Sequence, residues 1–117
     1  DKMIEDRATS VAFMRAYIKA CRFYYDNCLS KKDGKTVKGP HFDEVMQIIS
    51  KYTGRKPKLI AMGLNYNDRN GRLYDKDIQH QINWYYDHGL VGKKLNAKNI
   101  VDLSIWEQAM KDLGLKP

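Results

Sequence analysis

Few of the usual signposts of function occur in these 117 residues. No apolar run approaches the ~20 residues needed to cross a bilayer, which excludes a membrane-spanning helix. The opening residues, DKMIEDRATS, lack the basic start and apolar centre of a secretory signal. The chain therefore reads either as cytosolic or as one whose targeting segment has been removed or left out. Only two cysteines are present, Cys21 and Cys28. Seven residues apart on one helix, they lie about 10 Å from each other along its axis, beyond disulfide reach, and both read as apolar filler. His41, His80 and His88 are scattered, and no Cys or His spacing matches a metal site. Neither metal nor cofactor is expected. Catalytic patterns are equally sparse. Ser10, Ser30, Ser50 and Ser104 have no nucleophile-elbow context, and no Gly-rich loop is placed to cradle phosphate. Asp77, His80 and Asp87 could converge only through tertiary folding; Asp77 and His80, three apart on a helix, read as a surface ion pair. No catalytic residue is assigned, and the chain is read as not being an enzyme.

What is present is the composition of a globular protein, 43% hydrophobic and 30% charged, in a length that suits one helical domain or a fragment of something larger. The formal net charge of +7 invites a nucleic-acid reading, and its distribution decides how far that goes. Residues 31–62 hold eight Lys or Arg against three Asp or Glu, whereas the other 85 residues hold thirteen against eleven. The surplus sits in SKKDGKTVKG and GRKPK, two Gly-punctuated loops with only Tyr52 nearby to stack on a base. A solvated basic surface is the plain reading; phosphate binding is the alternative.

Helical periodicity runs through the chain and no strand is expected. The fold class is all-α, four to five helices joined by short loops. The first helix spans Arg7 to Asn27, with Asp6 as N-cap. Arg15, Lys19, Arg22 and Asp26 form one polar stripe at 4-3-4 spacing. Val11, Phe13, Met14, Tyr17, Ile18, Cys21, Phe23, Tyr24 and Tyr25, with interspersed alanines, cover most of the remaining circumference. That apolar girth is wider than a surface helix of a small bundle requires, so the helix expects neighbours on several sides.

Gly39-Pro40 opens a second helix with Phe42, Val45, Met46, Ile49 and Tyr52 at i, i+3, i+4 spacing, closed by Gly54. Pro57 starts a short helix that Gly63 ends. LNYNDRNGRLYD follows, dense in turn residues, with Asn70-Gly71 suited to a tight turn. Its partial likeness to a calcium loop fails at the outer positions, Tyr66 and Asp77, and it reads as a plain connector. Asp75 is expected to cap a helix reaching His88, with Ile78, Ile82 and Tyr85 on one face, Gln81 and Trp84 on its shoulder and Gly89 at its end. Trp84, Tyr85 and Tyr86 then form the inward end of that helix, and Asp87-His88 its wet tip. Ser104 and Glu107 spell a capping box before Trp106, Ala109, Met110 and Leu113, and Gly114 terminates the last helix.

The order of motifs carries a resemblance. TSVAFMRAYIKACRFYYDN is followed by a helix ending in KYTG, by Y-x-x-x-x-G-R-L from Tyr66 to Leu73, by D-x-x-x-Q-x-x-W-Y-x-x-x-G-L-V from Asp77 to Val91, and by VDLS with A-x-x-x-L-G from Ala109 to Gly114. This resembles the C-terminal portion of periplasmic substrate-binding proteins of ABC transporters, in the branch that binds nitrate, sulfonates, taurine and thiamine precursors, and it covers essentially the whole chain. The resemblance implies the helical tail of a protein about three times as long, whose two α/β lobes close on a small molecule. It also implies an extracytoplasmic location, periplasmic or membrane-anchored as a lipoprotein, for the full-length form. The expected partners are the rest of the substrate-binding protein, its small-molecule ligand and a transporter permease. The family's ligand contacts lie in lobes with no counterpart here, so the ligand-binding residues stay unknown.

Two other classes compete with that reading. One is a stand-alone basic helical module for DNA or RNA using Lys31, Lys32, Lys35, Lys38, Arg55, Lys56 and Lys58; nucleic acid is the alternative rather than the expected partner. The other is a helical protein-interaction domain that covers its first helix by meeting a partner or associating with itself.

Overall fold

Helical periods written in the sequence are followed over most of the chain in the computed structural model, which describes residues 5–116. The elements are α1 (Arg7–Asn27), β1 (Leu29–Lys32), β2 (Lys35–Lys38), α2 (Phe42–Thr53), α3 (Pro57–Met62), α4 (Asp75–Asp87), a 3-10 turn (Ala97–Asn99) and α5 (Ser104–Asp112). The fold is mostly helical. The expectation of no strand is corrected by the β1–β2 hairpin, an antiparallel pair in register Leu29↔Lys38 through Lys32↔Lys35. It is built from the segment read as a basic loop. Asp33 and Gly34, at φ 51° and 76°, supply the two left-handed residues of a tight hairpin turn whose twist matches the strands. Strand alternation is hard to see around them because lysine, rather than an apolar residue, fills half of the strand positions.

The chain divides into two compact units, a terminal one (residues up to 12 together with 72 onward) and a central one (Phe13–Gly71). In the central unit, Cys28, Leu29, Phe42, Val45 and Met46 are buried together, with Tyr24, Ile49, Ile60 and Leu64 packed against them. The expected face of α2 is inward at Phe42, Val45 and Met46 but not at Tyr52, which is 80% exposed near the helix end. The C-cap, Gly54, has φ 67° and closes α2 as expected.

The turn-rich segment after α3 is more than a connector. It is fastened along α1 at three places: Tyr24 Oη donates to the Asn65 carbonyl at 3.0 Å, Arg22 Nη1 to Asn70 Oδ1 at 2.7 Å, and Arg69 grips both carboxylate oxygens of Asp26 at 2.9 Å each. Asp68 shapes the turn itself, its side chain accepting from Asn70 N and its carbonyl from Gly71 N, an Asx turn. Gly71, at φ 64°, then lies flat on α1. A Cβ there would collide with the Tyr17 ring and come within 2.9 Å of Cys21 Sγ.

In the terminal unit, Trp106, Ala109 and Met110 of α5 are buried, as are Val11 and Ala97. Asp6 caps α1 as expected, accepting from Thr9 N at 3.1 Å. The other two expected N-caps are displaced by one residue. Tyr74, not Asp75, precedes α4 and offers no side-chain cap. Leu103 precedes α5, so Ser104 is the first helical residue and the capping box does not form. Arg7 holds the Ser104 hydroxyl and carbonyl, each at 3.2 Å, while Asp102 Oδ1 accepts from Ser104 N at 2.8 Å. The C-termini of α4 and α5 share one design. Gly89 N and Leu90 N donate to Tyr86 O and Tyr85 O, and Gly114 N and Leu115 N to Lys111 O and Met110 O, the paired bonds of a Schellman motif.

Gly71→Ala combines a strained left-handed alanine with overpacking against Tyr17 and Cys21. It is expected to cost roughly 2–4 kcal/mol, measured by urea denaturation, whereas Gly54→Ala, with open space around its Cβ, costs only the backbone share.

Candidate functional site

At roughly 100° per residue, the side chains of α1 sort into three faces. Val11, Ile18, Cys21 and Cys28, the last just beyond the helix end, fall on one and are all buried, Ile18 completely. Arg15, Lys19, Arg22 and Asp26 fall on the second, which is polar. The third carries Phe13, Ala16, Tyr17, Ala20 and Phe23, every one of them exposed, with Phe13 at 66% and Phe23 at 48%. The excess apolar girth expected from the sequence is thus an uncovered apolar third of the helix.

Within the central unit that face continues into an open groove of about 310 Å³. Tyr17, Phe23 and Tyr24 line it from α1, Ile48 and Ile49 from α2, and Asn67 from the fastened segment. Its few polar atoms are held neutral. Burial pushes the Cys21 thiol up and Tyr24 up to about 12; Tyr17 is raised by its bond to Cys21 and then by burial, and outside the groove burial raises Cys28 as well. A thiol shifted upward is a poor nucleophile and a poor metal ligand, which agrees with the filler role read from the sequence. The groove offers contact area and shape.

The other chemistry-bearing residues do not converge. Asp77, His80 and Asp87 are exposed along α4; among the described residues no ion pair joins Asp77 to His80, and Asp87 instead lies 3.8 Å from Lys94 Nζ. Among the described residues no group of His, Cys, Asp and Glu is placed to hold a metal ion, and no helix is long and apolar enough to cross a membrane. The aromatic end of α4 is not inward as expected. Trp84, Tyr85 and Tyr86 are 49%, 46% and 42% exposed. His88 is a local closure rather than a base in a site: its ring stacks on Trp84 at 4.0 Å, and its Nδ1 lies 2.7 Å from the Trp84 carbonyl. The polar residue that organises this region is one the sequence reading passed over. Gln79 accepts from Ala97 N at 2.8 Å and donates to Leu95 O and Asn83 Oδ1, tying α4 to the loop before the 3-10 turn.

The seven basic residues of the nucleic-acid alternative are all exposed. Lys31 Nζ lies 4.5 Å from the Tyr66 ring centre and Lys38 Nζ 4.3 Å from that of Phe42.

No family model, curated protein or solved structure matches this chain.

The Arg69 fork holds the Asp26 carboxyl below its usual range, chiefly through the hydrogen bonds and then through charge. The stabilisation this gives is fully present above the unfolded aspartate pKa of about 4 and is lost as the pH falls through the depressed folded value. Because the pair is half exposed, Asp26→Asn is expected to cost at most about 1 kcal/mol at neutral pH. Denaturation curves taken across the acid range should show mutant and parent converging as Asp26 of the parent becomes protonated.

Proposed function

We propose that this chain is the helical C-terminal region of an extracytoplasmic solute-binding protein of an ABC transporter, and that its own task is to pack against the α/β body that carries the ligand. The observation behind this reading is the uncovered apolar third of α1, Phe13 through Phe23. A stripe of that width normally lies inside a protein, and contiguous exposed apolar surface marks an interaction site. The order of motifs along the chain supports the same reading. The neutral character of the groove supports a packing role over a catalytic one. In this role the chain has no catalytic residues, binds no solute unaided and needs no cofactor. Its partners are the rest of the solute-binding protein and, through it, a permease. A periplasmic or lipoprotein-anchored location belongs to the full-length form.

Isothermal titration of the isolated chain against nitrate, sulfonates and pyrimidines is expected to show no binding, and micromolar affinity for any of them would overturn the proposal. In the isolated chain Phe13→Ser and Phe23→Ser should change stability by no more than about 0.5 kcal/mol, as surface substitutions do, while Ile18→Ala costs roughly 2–5 kcal/mol. A loss at Phe13 as large as that at Ile18 would mean the face is already covered. An in-frame α/β sequence with a secretory leader upstream of codon 1 is the genetic form of the same test.

A further inference from the structure

The two units differ completely in charge. The central unit holds twelve Lys and Arg against five Asp and Glu, a net +7, and the terminal unit holds nine against nine, a net of zero. The entire net charge of the chain therefore belongs to the central unit, and four of its lysines are concentrated in the eight strand positions of the β1–β2 hairpin.

Strand geometry sets how those four are displayed. Side chains alternate between faces along a strand, so the register puts Lys31 and Lys38 on one face and Lys32 directly opposite Lys35 on the other. Like charges directly opposite across a sheet are destabilising. Lys31 and Lys38 rest over aromatic rings; among the described residues neither Lys32 nor Lys35 has an ion-pair partner. The fold thus maintains a like-charged pair beside the Asp33-Gly34 turn, on the hairpin face opposite the one that Leu29 packs into the core.

We propose that this hairpin docks the chain on an anionic phospholipid surface. An ammonium is a compact point charge suited to a field of phosphates, whereas bidentate recognition of a base or of a single phosphate calls for arginine. The strands contain no Arg, Asn or Gln with which to read a base edge. Of the rings beside the strand lysines, Phe42 is buried under Lys38 and Tyr66 is covered by Lys31 and abuts Tyr25 edge-on at 6.1 Å, so neither offers a clear stacking platform for single-stranded nucleic acid. Lys32 and Lys35, on the face opposite Leu29, are relieved when headgroup phosphates approach that face. With no apolar anchor at the Asp33-Gly34 tip, the docking is electrostatic, reversible and weakened by salt. The proposal stands apart from the solute-binding reading and neither requires the other.

Flotation of the 117-residue chain with vesicles of phosphatidylcholine, with and without phosphatidylglycerol, tests it. The chain is expected to float with the anionic vesicles, to stay behind with the neutral ones, and to be released as salt is raised. Lys32→Gln with Lys35→Gln should weaken partitioning roughly 30-fold, at about a factor of five per lysine. Lys19→Gln with Lys51→Gln, a charge-matched pair on α1 and α2, should keep most of the binding. Removing the repulsive pair should leave the thermal midpoint unchanged or raised; if the double variant nevertheless unfolds, Lys35→Gln alone is read against an expected fivefold loss. Equal flotation with neutral vesicles, an equal loss in the control pair, or tighter binding to a short single-stranded DNA at the same salt would each overturn the proposal.

Discussion

Residue 71 has no side chain, and the arrangement of the central unit depends on that. Its backbone lies against Tyr17 and Cys21 where a methyl group would meet an aromatic ring and a sulfur. This contact lays the segment from Asn65 to Gly71 along α1 closely enough for Tyr24, Arg22 and Asp26 to take hold of it. It also settles which flank of α1 is occupied. Once Cys21 is covered from that side, the neighbouring stripe of Phe13, Ala16, Tyr17, Ala20 and Phe23 is the one left facing outward, and the groove beside α2 lies along its edge.

The helices were legible because their boundaries are local. Glycine and proline at Gly39-Pro40, Gly54, Pro57, Gly89 and Gly114 punctuate the backbone wherever they occur, and the bounds of α1 follow from its apolar density and from Asp6. What was not legible depended on partners far away in the chain. Ser104 has the residue type and spacing of a capping box, but Arg7 engages its hydroxyl and Asp102 takes its amide. Residues 29–38 carry an Asp-Gly turn signal, yet strand alternation marked by lysine looks like a solvated loop. Turn density identified residues 64–75 as irregular but could not show that irregular backbone holds a helix in place. Trp84, Tyr85 and Tyr86 were read inward on hydrophobicity alone, although tyrosine and tryptophan have polar ends that tolerate water and stay partly exposed here.

The uncovered face of α1 and the charged hairpin make different demands on their surroundings. The first is a broad apolar surface whose burial is insensitive to salt and favours a permanent partner. The second is a small cluster of exposed charges whose attraction acts within about a Debye length and favours contacts that form and break. Both lie in the central unit. The terminal unit is charge-neutral and closed at two helix ends by Schellman motifs, and its exposed aromatics lie at the end of α4.

The Asn70-Gly71 step has a chemical consequence as well. Asparagine followed by glycine deamidates when the glycine nitrogen attacks the side-chain amide carbon, forming a cyclic imide and releasing ammonia. Here the Gly71 nitrogen donates its hydrogen to the Asp68 carbonyl, while the Asn70 amide oxygen is drawn toward Arg22. Ring closure would require the Gly71 nitrogen to leave that carbonyl and turn toward the Asn70 side chain. The folded turn therefore slows spontaneous ageing at this step relative to the unfolded chain.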